Sequence, residues 1–128
     1  MDSRIEPLRM LGLRLGDAKI LRTPGAHLTP DALIGCILGV HALNVNRIMV
    51  VTHTRCAMAS DTDESLRAVV AASSGLEVDD LGIGADPQQR TRLVADVETL
   101  RNHELIGPFA EVGGFSYDVD WGRLIQVA

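Results

Sequence analysis

The chain has 128 residues, 46% of them hydrophobic and 23% charged, a balance that suits one folded domain over residues 1–128 rather than a disordered chain. Its 12 basic and 17 acidic residues give a net charge of −5, the wrong sign for a protein whose main partner is nucleic acid or an anionic membrane. No apolar run reaches the roughly 18 residues that a bilayer span requires. The opening Met-Asp-Ser-Arg-Ile-Glu-Pro lacks the basic-then-hydrophobic pattern of a secretory signal, so a cytoplasmic location is expected.

Pro7 stands at a first helical position and is followed by Leu8, Met10, Leu11 and Leu13, which predicts a short helix ended by Gly16. Residues 18–21 read as a brief strand closing at the turn-forming Arg22-Thr23-Pro24-Gly25. Thr29 is placed to cap the next helix, with Pro30 at its first position and Asp31 near the positive end of its dipole. Leu33, Ile34, Ile37, Leu38, Ala42 and Leu43 recur along that helix at roughly helical spacing. Residues 47–52 form a nearly continuous apolar run, as in a strand buried on both faces of a parallel sheet. The run delivers His53-Thr54-Arg55-Cys56 at its carboxyl end, the edge at which open α/β sheets bind ligands.

A helix over about residues 63–72 follows, stopped near Gly75. Asp86 then caps another, with Pro87 next and Val94, Val97 and Leu100 on its apolar side. Residues 115–119 and 124–127 flank Asp120-Trp121-Gly122 as a closing β-hairpin. The order is that of an α/β protein: a mostly parallel sheet flanked by helices. A sheet with residues 47–52 in its middle wants another buried strand upstream, whereas the chain opens on a helix start.

His53-x-x-Cys56 is the one His/Cys pair at metal-ligand spacing, and an imidazole and a thiolate three positions apart on a tight loop suit zinc. The same residues also read as a histidine that hydrogen-bonds its own loop and a cysteine that packs as a small apolar group. A third reading makes Cys56 a nucleophile activated by His53 and a helix N-terminus. Without a secretion signal, Cys36 and Cys56 are expected to be reduced thiols. His27, His41 and His103 read as ordinary loop and helix histidines, and Asp61, Asp63 and Glu64 as helix-capping charges. Gly82-Ile83-Gly84 reads as a plain loop, and Trp121 as a packed turn residue.

Several blocks in order resemble the beta class of carbonic anhydrases, in particular the small bacterial type. They are Met-Asp-Ser-Arg, Leu11-Gly12, Gly16-Asp17-Ala18-Lys19, Ile20-Leu21-Arg22, Gly25-Ala26 and His53-Thr54-Arg55-Cys56-Ala57-Met58. Gly114-Phe115-Ser116-Tyr117-Asp118-Val119 and Gly122-Arg123-Leu124 look like the closing strands of that family, so the resemblance runs over essentially the whole chain. It implies the family fold and a homodimer with its pockets near the subunit interface. It also implies zinc-dependent, reversible hydration of carbon dioxide to bicarbonate and a proton. His53 and Cys56 then match two of three zinc ligands. Asp2 and Arg4 match the catalytic pair in which the arginine holds a carboxylate beside the metal. Zinc would bring the pKa of its bound water to about 7, making hydroxide available at neutral pH. Relatives that hydrolyse carbonyl sulfide or carbon disulfide share this ligand set, and a zinc-free scaffold on the same fold is the non-enzyme alternative.

The chain departs from the family pattern in places. The family's first zinc ligand is a cysteine directly before Met-Asp-x-Arg, a place that precedes Met1 here, as do the family's first strand and its N-terminal helix. Cys36 falls inside the helix capped by Thr29 and is no substitute. Arg55 and Ala57 stand where the ligand loop has an acidic residue and a glycine, and Arg22-Thr23-Pro24-Gly25 replaces Arg-Asn-Ala-Gly. Two expectations compete. If Met1 is an internal methionine, the genomic DNA carries an in-frame cysteine codon directly before it; otherwise the chain is a scaffold without its zinc site.

Overall fold

The computed structural model describes residues 1–128. Three strands form one sheet in the order β1-β2-β3: β1 is Arg47–His53, β2 Glu111–Asp118 and β3 Arg123–Gln126. β1 and β2 run parallel, with Arg47 opposite Glu111 and His53 opposite Tyr117, while β3 returns antiparallel to β2 as the expected hairpin. A parallel pair cannot be closed by a tight turn. The crossover between β1 and β2 therefore carries α3 (Ala57–Ser60), α4 (Asp63–Ser74) and α5 (Gln89–Asn102). Ahead of β1 lie α1 (Pro7–Leu11), a 3₁₀ turn (Pro24–Ala26) and α2 (Pro30–Ala42).

The core sits between α5 and the sheet. Leu93, Val97, Leu100, Ile106 and Val112 are buried together, and Leu33, Cys36 and Ile37 of α2 pack against them with Ile48 and Val50 of β1. α5 comes this close because β2 carries Gly114 at the contact. A Cβ there would stand 2.9 Å from Val97 Cγ2 and 3.3 Å from Leu93 Cγ, so any side chain would push the helix off the sheet. Arg101, near the end of α5, donates from Nε and a terminal nitrogen to the Val112 carbonyl and fixes the helix along the strand.

Thr29 caps α2 by accepting the Ala32 N–H, with Pro30 at the first position, and Gly75 ends α4 in the left-handed region, both as the sequence implies. Other boundaries differ. α1 stops at Gly12 (φ 66°) and not at Gly16, because Gly12 is the first residue able to turn left-handed and return its N–H to the Arg9 and Leu8 carbonyls. α5 begins at Gln89: Asp86 accepts the Gln88 N–H in a turn of its own, and the Gln88 carbonyl opens the helix. Residues 18–21 form no strand, since no neighbouring segment offers them a ladder. β1 is an edge strand rather than a doubly buried one, and Met49 is 40% exposed. On α2, Ile34 and Leu38 are more than half exposed.

These positions separate core from surface energetically. Leu100→Ala is expected to cost about 2–5 kcal/mol, whereas Leu15→Ala at an exposed position is expected to stay within about 0.5 kcal/mol. Urea denaturation monitored by circular dichroism reads both, and equal midpoints for the two variants would contradict this placement of the core.

Candidate functional site

The site is built where β1 leaves the sheet. Thr54 donates its N–H to the Tyr117 carbonyl (2.9 Å), and Val119 donates its N–H to Thr54 Oγ1 (3.1 Å), so the turn of the β2–β3 hairpin grips the segment just past His53. Arg55 then takes φ 54°, a left-handed conformation costing roughly 1–2 kcal/mol for a residue with a Cβ. Two contacts hold it there. Its guanidinium pairs with Asp120 Oδ2 at 3.0 Å, and its carbonyl accepts Arg4 from the other end of the chain at 3.0 Å. The turn delivers Cys56, buried, to the N-cap position of α3, where its carbonyl accepts Ala59 N–H, Ser60 N–H and the Ser60 hydroxyl.

His53 faces inward with its side chain largely covered. Nδ1 lies 2.9 Å from the Thr54 carbonyl. As donor to that oxygen, Nδ1 carries the proton and leaves the Nε2 lone pair free, the second contact typical of a metal-binding histidine. Nε2 points toward Asp2 Oδ2 at 3.9 Å.

Asp2 is gripped as a fork. Oδ1 accepts the Arg4 N–H (2.8 Å) and Nε (2.9 Å), and Oδ2 accepts Nε (3.1 Å) and a terminal nitrogen (2.6 Å). The Arg4 side-chain hydrogen bonds, followed by its backbone N–H, hold the Asp2 carboxyl far below the usual carboxylate range, and the pairing raises Arg4 in turn. Arg22 donates to the Asp2 and Ile5 carbonyls at 2.6 and 3.2 Å, so the first residues are anchored at several points rather than frayed.

The four residues singled out by sequence thus meet around one loop, with Asp2, Arg4 and His53 in direct sequence of contact and Cys56 ending the turn that Arg4 supports. The donors fall short of a zinc centre. His53 and Cys56 are of the right types, but both Asp2 oxygens are engaged by Arg4, and no three His, Cys, Asp or Glu side chains come together as a metal-binding group. A catalytic zinc takes three protein ligands and an open position. Cys36 lies apart against the core, where burial pushes its thiol up.

Sequence reasoning missed the anchors Arg22, Tyr117, Val119 and Asp120, whose roles depend on contacts distant along the chain. Asp63 also does more than cap a helix: Thr62 caps α4, while the Asp63 carboxylate accepts the N–H groups of Ile83 and Ala85 and fastens the loop around Gly84. His41 lies 2.8 Å from the Leu105 carbonyl and edge-on to Phe109, and His103 accepts the Leu105 N–H. Trp121 is 76% exposed at the hairpin turn instead of packed.

The carbonic anhydrase family model matches residues 1–77. Beta-carbonic anhydrase 1 of Mycobacterium tuberculosis is 29% identical over 132 residues, covering 99% of this chain and 77% of that protein. A carbon disulfide hydrolase of Acidithiobacillus thiooxidans is 28% identical over 145 residues, covering 97% of this chain and 72% of that protein. The crystal structure of carbonic anhydrase from Streptococcus mutans superimposes with a TM-score of 0.89 at 30% identity, covering 100% of this chain and 77% of that one. With the α/β sheet, the 53–56 loop and the Asp2–Arg4 fork in the same molecule, the chain belongs to the beta-class carbonic anhydrase family.

Proposed function

We propose that this chain is the subunit of a zinc-dependent carbonic anhydrase that hydrates carbon dioxide reversibly to bicarbonate and a proton. In this reading His53 and Cys56 are two of the zinc donors, Asp2 is the catalytic carboxylate and Arg4 holds it. The observation that carries the reading is the Arg4-locked Asp2 carboxylate, 3.9 Å from His53 Nε2 at the carboxyl end of β1. Arg4 reaches both oxygens of that carboxylate with three hydrogens, its Nε hydrogen shared between them, and so fixes the direction in which the carboxylate faces His53. Because Asp2 stays ionised it accepts a hydrogen bond and never donates one, so it orients an oxygen nucleophile by its proton.

Zinc in this reading needs a third protein donor beyond His53 and Cys56, and metal content is therefore the deciding observation. Two other readings have support of their own. The carbon disulfide hydrolase is nearly as similar as the carbonic anhydrase, so similarity alone does not choose between carbon dioxide and carbonyl sulfide or carbon disulfide as substrate. The two-donor site favours a zinc-free scaffold. No helix is long and apolar enough to cross a membrane, and a cytoplasmic location is part of the proposal.

A homodimer completes the reading. The chain exposes 8470 Å², about 1,800 Å² more than a folded monomer of 13.8 kDa presents on average. That excess is of the order each subunit buries in an obligate dimer. Ile34, Leu38, Met49 and Leu43 are among the apolar side chains left in water.

With a third donor completing the set, elemental analysis after dialysis against metal-free buffer is expected to find about one zinc per chain, with stopped-flow hydration of carbon dioxide lost in Cys56→Ser and His53→Ala. A folded protein without zinc and without hydration would replace this reading by the scaffold, and faster turnover of carbon disulfide than of carbon dioxide would move the substrate assignment. Arg4→Ala is expected to return the Asp2 carboxyl upward toward its ordinary range in a ¹³C NMR titration and to slow hydration by about 10–100-fold. An unmoved Asp2 titration would contradict the fork. Sedimentation equilibrium is expected to give a dimer, and a monomer at micromolar concentration would remove that part of the proposal.

A further inference from the structure

His27 follows the 3₁₀ turn, and its ring lies between two glycines from different segments. A Cβ on Gly25 would meet His27 Cδ2 and Nε2 at 2.8 Å, and a Cβ on Gly84 would meet Cε1 at 3.1 Å. The ring is thus a pin between the 3₁₀ turn and the loop around Gly84, and its Nε2 is buried without a hydrogen-bond partner. Both segments are seated on α3. A Cβ on Gly25 would touch Met58 Cβ at 3.2 Å, and Asp86 donates its N–H to the Met58 carbonyl at 2.6 Å. Met58 comes two residues after Cys56.

The charged groups facing the ring are Arg92 and Asp96 of α5, Asp86 just before that helix and Asp63 of α4. Each carboxylate is already committed. Asp86 and Asp96 accept Arg92 Nε and a terminal nitrogen at 2.6 and 2.7 Å, while Arg92 also donates to the Gly25 carbonyl at 3.1 Å. Asp63 holds the Ile83 and Ala85 N–H groups at 3.1 and 2.6 Å. Burial, with the Arg92 charge behind it, holds the imidazole below its ordinary range and hence neutral at pH 7. A protonated ring would carry a buried Nε2–H that has no partner in the slot as it stands. It would have to leave, or draw Asp86 or Asp96 off Arg92, or draw Asp63 off the loop amides.

We propose that His27 is an acid-sensitive positioning residue: its neutral ring pins the 3₁₀ turn to the 83–86 loop and so seats α3 behind Cys56, and protonation withdraws the pin. The seating of α3 is independent of the reaction catalysed, and its consequence for the site rests on the reading of Cys56 as a zinc donor. The sign follows from the lowered affinity for a proton. A released ring gains its proton as pH falls through 6.5, whereas the pinned ring gains it only further down. The pinned state therefore has its full stability above that value and loses it as pH falls toward the pinned ring's own midpoint.

The test is NMR of the full, metal-free chain between pH 7.5 and 4.5, reading the ring of each histidine and the exchange of amides 57–60 and 83–86, corrected for intrinsic rates. The His27 ring is expected to titrate below 6.5, and those amides are expected to lose about tenfold protection per pH unit across the same interval while β1 and β2 stay protected. In His27→Leu, which fills the slot without a charge, protection of 57–60 is expected to stay flat. A His27 ring that titrates as a free imidazole, or the same acid loss in His27→Leu, overturns the proposal. Should that variant not fold, the wild-type chain decides: amide shifts of 57–60 must follow the His27 midpoint, and following that of His53 instead overturns it.

Discussion

The parallel pairing of β1 with β2 is the constraint from which the site follows. Parallel strands demand a long crossover, and here it brings α5 back across the sheet with Leu93 and Val97 against Gly114. The register sets His53 beside Tyr117, so β1 ends where β2 is about to turn into its hairpin. Two segments far apart in sequence, the 53–56 loop and the hairpin turn, become neighbours through that register. The backbone bond from Thr54 to Tyr117 extends the ladder by one step before the chain turns away.

The loop so placed is held from both ends of the chain. Arg4 reaches the Arg55 carbonyl from the amino end, and Asp120 takes the Arg55 guanidinium from the carboxyl end. A left-handed arginine persists only where its surroundings over-determine it, and these contacts do so. They also concentrate charge. Arg4, Arg22 and Arg55 gather around Asp2 and Asp120, with Arg4 and Arg55 each paired to one of the two carboxylates.

What the sequence made legible divides along the same line. β1, the capped start of α2, the closing hairpin and the His53–Cys56 spacing all rest on neighbours in sequence, and the structure has them close to where the pattern puts them. The failures concern partners. Ile20 and Leu21 have strand character, but a strand exists only with a neighbour to pair with, and none is present. An apolar run in residues 47–52 says that burial is favourable, not that the second face will be covered, and β1 ends up at an edge. Gly12 and Gly16 are equivalent by composition, and only the hydrogen bonds of the last helical turn select the first. Asp63, Arg22 and Arg92 are unreadable as anchors because each acts on backbone groups at least 17 positions away through folds of the chain that no local pattern encodes.

The forces that keep the protein folded and those that shape the site are therefore different in kind and in place. Folding free energy is concentrated in the apolar contact of α5 with β1 and β2, where Leu93, Val97, Leu100 and Ile106 lie essentially out of water. The 53–56 loop, by contrast, is positioned by directional polar contacts, several of them to backbone carbonyls. Such contacts contribute little net stability each but tolerate no change of geometry. A cavity in the core lowers the stability of the whole sheet. A broken polar contact leaves the sheet standing and lets a donor drift by fractions of an ångström, which is where a chemical site is most easily lost.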